Sequence, residues 1–389
     1  MQAALALTAF YFASFAALGV FLPYFNLYLL HLGFTPWQIG LLAAMPPLLK
    51  ILVPAGFGLV ADRSGGGRRL IIAMSVATTL AFAGFLVTTT FWSVLAVMVV
   101  FAFVWAPVLP LVEATTLETV DRLKRFDYGR IRLWGSVGFV AATLAMGAWL
   151  KAAQSDRVIL YGVLAGYAAA ALAACGFPAT RGAPDPAELR PRAWRGLRPL
   201  WTFYAACLLM QFSHGMYYGF FSIALEGRGW SASAIGALWS VGVVVEILFM
   251  FWSARVMSWI SAETLFALSF AAAVARWGVM SASPGTAGLV AAQALHALTF
   301  GAFHVAAVTL VHRTAPPSLR ATGQTLYSSL AYGVGSAASS LFNGALYARW
   351  GASALFGVSA VAAAGGLILA ARHLLTTARA RRAHSDAGE

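Results

Sequence analysis

Apolar runs near residues 5–30, 37–60, 70–89, 92–117, 131–150, 158–177, 200–225, 231–253, 264–282, 287–312, 320–346 and 353–375 follow one another along this 389-residue chain, mostly separated by short turns. A helix needs about 20 residues to cross a bilayer, so twelve crossings use about 240 and leave about 149 for loops and ends. Little remains for a folded domain outside the membrane. The chain is 60% hydrophobic and 10% charged, whereas soluble domains carry roughly 25% charged residues. Lipid is therefore its main solvent. A soluble enzyme, a DNA-binding protein (despite the +13 charge) and an ATP-driven pump with its own nucleotide domain are excluded. No G-x-x-x-x-G-K-S/T phosphate loop occurs.

The first residues, Met1, Gln2, Ala3 and Ala4, lack the positive segment of a secretory signal, and the run from Leu5 is too long for one. It reads as the first permanent span. Cys175 and Cys207 both lie in apolar runs, so no disulfide framework or thiolate metal site is expected. No metal and no cofactor are expected either. With the N-terminus cytoplasmic, nineteen Lys and Arg fall in inner loops and the tail, against Lys151, Arg157, Arg228 and Arg349 outside. The positive-inside bias therefore places both termini in the cytoplasm. Residues 178–199 carry five prolines and five arginines after the sixth span, which suits a linker better than a folding unit. The expected architecture is an all-α membrane protein of twelve transmembrane helices in two six-helix halves, 1–177 and 200–377, with linker 178–199 and cytoplasmic tail 378–389. The basic linker and tail read as anchors beside anionic lipid, with no nucleic-acid partner.

A charge at bilayer depth costs about 2.5 to 3.5 kcal/mol, so its presence calls for a partner, a wet cavity or a function. Lys50, Glu113, Arg132, Glu246, Arg276 and His296 fall in this class, and His214 and His304 are further polar groups in apolar runs. Three cations against two acids describe a cavity that would welcome an anion. Tyr24, Asn26, Tyr217, Tyr218 and Trp239 accompany polar groups in spans 1, 7 and 8 and are candidate substrate contacts. Pro46, Pro47, Pro107 and Pro110 are expected to bend spans 2 and 4. The small residues from Gly333 to Gly344 suit close helix contact in span 11.

The turn after span 2, Gly58-Leu59-Val60-Ala61-Asp62-Arg63-Ser64-Gly65 with Arg68-Arg69, resembles the G-x-x-x-D-R-x-G-R-K/R motif of the major facilitator superfamily, with two extra glycines before the basic pair. The resemblance implies that Asp62, Arg63 and Arg68 form a gating latch. Val112-Glu113-Ala114, followed by Gly129-Arg130-Ile131-Arg132 and Trp134-Gly135-Ser136-Val137-Gly138-Phe139, is similar to the span 4 to span 5 region of the oligosaccharide:proton symporters related to lactose permease. There the acid and second arginine contact substrate and an aromatic ring stacks on sugar, which implies substrate roles for Glu113, Arg132 and Phe139. Arg276 and His296 match that group's span 9 arginine and span 10 histidine. Its proton-carrying acid falls at Thr299, which cannot do a carboxylate's job, and its span 8 acid falls at Val243. Glu246 lies one turn on and shares that face. His304 lies near the face of His296 on an ideal helix, whereas His214 has no such match.

These departures, with Tyr217-Tyr218-Gly219-Phe220, Trp239 through Glu246 and Leu295-His296 through Phe303-His304, resemble the 3-phenylpropionate permease family of bacterial inner-membrane proteins. The resemblance implies a multi-pass inner-membrane monomer whose partners are a small-molecule substrate, protons and lipid. The expected function is proton-coupled import of a small organic acid by alternating access. Glu246, His296 and Arg276 would handle the proton, and Lys50, Glu113, Arg132, Arg276 and His304 would contact substrate with the rings named above. Sugar:proton symport and export of a drug-like solute remain open. No H-E-x-x-H or G-x-S-x-G favours an enzyme.

Overall fold

The computed structural model describes residues 2–64, 67–123, 127–178, 197, 198 and 200–385, without the side chains of 54–56, 58–64, 123, 318, 321 and 375–385. Among the described residues the regular elements are all helical. Among the described residues, one compact unit comprises those up to 178 with Tyr218–Ser240, and the other comprises those from 197 to Tyr217 with 241–385.

The first unit holds α1 (Gln2–His31), α2 (Pro36–Ser64), α3 (Gly67–Ala83), α4 (Phe91–Trp105), α5 (Val108–Leu123), α6 (Tyr128–Ala153) and α7 (Arg157–Ala174). It also includes the last third of α8 (Trp201–Glu226) and the first turns of α9 (Ala232–Trp259). Its core gathers Leu7, Phe10, Tyr11, Ile71, Val108, Val112, Ile131 and Phe177. Span 4 is interrupted between α4 and α5 at Ala106 and Pro107, because proline lacks the N–H that would continue the ladder. Pro46 and Pro47 leave α2 continuous.

Helix α1 packs closely on α6 because glycine faces backbone. A Cβ at Gly138 would collide with the Phe12 carbonyl, and one at Gly19 with that of Phe139. In lipid such close approach replaces the hydrophobic drive that water supplies elsewhere. Gly138→Leu should force α1 and α6 apart at a cost of about 1–3 kcal/mol. Fluorescence size-exclusion chromatography should show a diminished monodisperse peak and an earlier melting midpoint.

At one end of this unit, hydrogen bonds tie α1 and α6 to the α8–α9 turn region. The Tyr24 hydroxyl lies 3.0 Å from the Thr143 carbonyl and 3.1 Å from that of Ala232. Asn26 donates to the Gly219 carbonyl at 2.9 Å, and Ser233 donates to that of Gly147 at 2.9 Å. A 30-residue helix such as α1 is about 45 Å long and outruns a hydrocarbon core of about 30 Å, and its last residue, His31, is exposed. Its ring nitrogens lie 2.8 Å from Asp156 and 2.8 Å from Glu226.

The second unit contains the rest of α8 and α9, with α10 (Ala262–Ser281), α11 (Thr286–Ala294), α12 (Phe303–Thr314), α13 (Arg320–Ser328) and α14 (Ser336–Ser385). Two π turns, at Ala297–Ala302 and Ser329–Gly335, interrupt its helices. Such turns widen the backbone locally and recur at functional sites.

Ten stretches among the described residues are long and apolar enough to cross a membrane. One of these, Thr322–Leu374, has 53 residues and would be about 80 Å long, far more than one crossing needs. It breaks at Gly351, whose φ of 72° and ψ of 173° only glycine adopts readily. Helix α8, with 26 residues, is long enough to cross but is not among the ten. Gln211, Ser213 and His214 dilute its apolar run and are buried within the protein.

Candidate functional site

The first unit builds a cation-aromatic cluster at the start of α6. The Asp127 carboxylate accepts the Gly129 N–H at 2.6 Å, a side-chain cap that satisfies a donor the first helical turn leaves open. Arg132 then lies one turn inside the helix. Its guanidinium carbon sits 4.0 Å from the Phe15 ring centre and 5.6 Å from that of Tyr11. Gly135 leaves room for this stack, since a Cβ there would come within 3.1 Å of both the guanidinium and Phe15. On α5, half-buried Glu113 feels the charges of Arg132 and Lys50. Lys50 places its ammonium 4.5 Å from the Trp105 ring centre. Glu113, Arg132 and Lys50 thus share one electrostatic neighbourhood with a lining of rings, where cation–π contacts contribute about 0.5–2 kcal/mol each.

The second unit holds a tighter cluster on α9, α10, α11 and the first π turn. Arg276 is 0% exposed. Its Nη1 lies 2.8 Å from His296 Nδ1 and donates to Thr299 Oγ1 at 2.9 Å, while Nη2 donates to Gln293 Oε1 at 2.8 Å. The guanidinium also lies 4.6 Å from the Tyr217 ring centre and 4.5 Å from that of Trp277. Gln293 in turn donates to the Tyr217 hydroxyl at 3.3 Å. A guanidinium has donors and no acceptor, so His296 Nδ1 accepts and the ring proton is on Nε2. That nitrogen lies 3.5 Å from Glu246 Oε2. Gly242 lies against the His296 ring and Gly301 against Glu246, so small residues give this pair its room. A buried cation, a neutral imidazole of fixed tautomer and a carboxylate therefore follow in sequence.

The structure thus gathers Glu246, His296 and Arg276 with Tyr217 in the second unit, and Lys50, Glu113 and Arg132 in the first. Other candidates occupy different places. Tyr24 and Asn26 bond to backbone carbonyls near the α8–α9 turn, as above. Tyr218 and Trp239 pack with ring centres 6.2 Å apart, and the Trp239 indole donates to Ser222 at 3.0 Å. Phe139 is buried, with its carbonyl accepting from Thr143 at 2.8 Å. His304 Nδ1 lies 3.2 Å from the hydroxyls of both Tyr327 and Tyr332. The π turn between His296 and His304 breaks the 100° spacing that would place them on one face. Arg68 donates to the Cys175 carbonyl at 2.6 Å, capping the end of α7. The side chains of Asp62 and Arg63 lie outside the described residues.

Sequence reasoning passed over Phe15 and Tyr11 around Arg132 and Gln293 around Arg276, and marked His214 only as a polar group in an apolar run. The first two carry an i, i+4 spacing on α1, but rings in an apolar span carry the same signal when they face lipid. Gln293 and His214 are polar residues in spans, and that was their one sequence signal.

Residues 4–358 match the model of the MFS_1 like family. The chain is 34% identical over 372 residues to the protein named Probable 3-phenylpropionic acid transporter of Escherichia coli (strain K12), covering 92% of this chain and 95% of that one. It is 26% identical over 352 residues to the maltose permease of Geobacillus stearothermophilus, covering 89% and 88% of the two. Among solved structures, the nucleoside transporter NupG superposes with a TM-score of 0.81 at 19% identity, over 96% of this chain and 99% of that one, a likeness of fold. A bacterial homologue of the human lysosomal transporter Spinster gives a TM-score of 0.73 at 16% identity, over 96% of this chain and 97% of that one. The chain is a membrane transporter and belongs to the MFS_1-like family.

Proposed function

We propose that this transporter imports a small organic acid together with protons, its substrate being an aromatic carboxylate such as 3-phenylpropionate. It would work as a monomer in a bacterial inner membrane, with twelve crossings in two six-helix halves and both ends cytoplasmic. The observation that carries the reading is the sequence Arg276, His296, Glu246: a buried cation joined through one imidazole to a carboxylate. Arg276 is the carboxylate-binding group. When it turns toward a substrate anion it leaves His296 Nδ1, which frees that nitrogen to take a proton and changes the charge facing Glu246. Glu246 is the proton carrier. Tyr217 and Trp277 flank the guanidinium and suit the aromatic body of such a ligand. The E. coli relative named for 3-phenylpropionic acid supports the same substrate class.

A second reading, sugar:proton symport, is favoured by the Glu113, Lys50 and Arg132 neighbourhood and by the maltose permease similarity. Competition separates the two. In proteoliposomes, uptake of labelled 3-phenylpropionate should fall by more than half with excess cinnamate or benzoate and remain unchanged with maltose or lactose. Inhibition by the sugars alone would select the second reading, and inhibition by neither would exclude both.

Alternating access also requires the ties from α1 and α6 to the α8–α9 region to open in each cycle. Carboxylates accept hydrogen bonds, so His31, with Asp156 on one nitrogen and Glu226 on the other, carries both ring protons in this arrangement. Tyr28 and Arg157 interact electrostatically beside Asp156. The tie is complete while the ring is protonated and is lost as pH rises and the imidazolium gives up its proton. With every rate normalised to that of a free thiol at the same pH, His31→Ala should therefore raise labelling of a cysteine placed at half-buried Ala224 in acid, toward the level that the unsubstituted His31 protein reaches in alkali. Equal labelling at both pH values in the His31 protein would exclude this gate.

A further inference from the structure

We infer that His214 is a positioning residue for Arg276, acting through Thr299 along a hydrogen-bond chain that has a single polarity when the His214 ring is neutral. Both ends of the chain are fixed by chemistry. A guanidinium donates and does not accept, and a backbone carbonyl accepts and does not donate. His214 Nδ1 lies 2.8 Å from the Met210 carbonyl, so Nδ1 carries the ring hydrogen. Nε2 of the neutral ring is then an acceptor, and it lies 3.4 Å from Thr299 Oγ1. The threonine hydroxyl directs its single hydrogen there and leaves its lone pairs to Arg276 Nη1, which donates to it at 2.9 Å. The order is Arg276 to Thr299 to His214 to Met210, and reversing any link would set two donors or two acceptors against each other.

The surroundings hold this chain in register. Thr299, His214 and Arg276 are each 0% exposed, so water does not compete for the bonds. Trp277 meets the His214 ring edge-on, with ring centres 4.9 Å apart at 89°. Its indole donates to Ser213 at 3.0 Å, and Ser213 donates to the same Met210 carbonyl at 2.7 Å. One turn of α8 is thus tied to α10 and the π turn by neighbouring bonds that orient the imidazole.

The two histidines beside Arg276 must therefore hold opposite neutral tautomers, His214 with hydrogen on Nδ1 and His296 with hydrogen on Nε2. This also explains the residue type at position 299. A hydroxyl accepts from arginine and donates to histidine at once; an ionised carboxylate there would accept from both and require a charged His214 beside a charged arginine. Arg276 Nη1 is held between Thr299 and His296, so the threonine sets where the guanidinium sits relative to the group that reports to Glu246. The functional half of this inference rests on Arg276 binding the substrate carboxylate, but the tautomer assignment does not.

The test uses full-length protein labelled with 15N-histidine in detergent or lipid, read by side-chain nitrogen NMR. His214 should be neutral with hydrogen on Nδ1 across about pH 5.5 to 8, the range in which a free imidazole titrates, and His296 should show the opposite tautomer. Thr299→Val keeps the shape but neither accepts nor donates, so His296 should lose its fixed tautomer in that variant and keep it in Thr299→Ser. His214→Phe should act like Thr299→Val, and the isosteric valine variant answers the question if the phenylalanine variant does not fold. A His214 that titrates, or a His296 tautomer unchanged in Thr299→Val, would overturn the positioning role. Thr299→Val should also weaken 3-phenylpropionate binding about tenfold, with Thr299→Ser close to the Thr299 protein. Absence of any 3-phenylpropionate binding to the unsubstituted protein would instead sink the substrate assignment and leave the nitrogen spectra to decide the chain.

Discussion

Glu246→Gln should abolish uphill accumulation of 3-phenylpropionate driven by a pH gradient, while leaving exchange of labelled for unlabelled substrate across the same liposomes intact. Each coupled proton lets one pH unit support about a tenfold concentration ratio, since tenfold corresponds to 1.4 kcal/mol. The substitution should bring that ratio to one. Glutamine preserves the size and polarity of the side chain near His296 Nε2, 3.5 Å away in the structure, but it cannot take up and release a proton. Exchange survives because it returns the carrier with substrate bound and needs no net proton movement. Loss of both activities would place Glu246 in binding or folding rather than coupling. Continued uphill uptake would remove it from the mechanism.

The second large effect belongs to Arg276. Replacement by lysine should weaken 3-phenylpropionate binding about a hundredfold, a difference of roughly 2.7 kcal/mol, even though the charge is kept. Two guanidinium nitrogens reach three partners here, His296, Thr299 and Gln293. An ammonium is a point charge on a flexible stem and does not reproduce that planar fork. Arg132→Lys should cost far less, because Arg132 meets Phe15 and Tyr11 through ring faces, to which a lysine also binds. Titration calorimetry with the purified variants measures both. Equal losses in the two would contradict the separate roles assigned to the two clusters.

Much of the fold is legible because a bilayer imposes a length on every crossing and a cost on every charge. The apolar runs place the helices, the break at Pro107 falls where the missing N–H predicts it, and Lys50, Glu113, Arg132, Glu246, Arg276 and His296 stand out because lipid does not explain them. The same reasoning fails where the cost is met inside the protein. Helix α8 is found by its apolar run at 200–225, yet Gln211, Ser213 and His214 dilute that run and are buried. The π turn before α12 has no marker in Ala297 to Ala302, yet it separates His304 from His296. Thr299 carries the plainest lesson. As a residue type it shows only that no proton is carried at that position, and its part in holding Arg276 depends on donors and acceptors that converge from three helical segments.

Simultaneous recording of substrate and proton flux in proteoliposomes tests proton-coupled import most directly. With no pH gradient imposed and protein-free liposomes subtracted to remove passive permeation of the protonated acid, inward 3-phenylpropionate flux should alkalinise the outer medium in fixed proportion to the substrate taken up. Glu246→Gln should show no such proton movement. Substrate uptake without alkalinisation, or an equal proton flux in Glu246→Gln, would contradict the account.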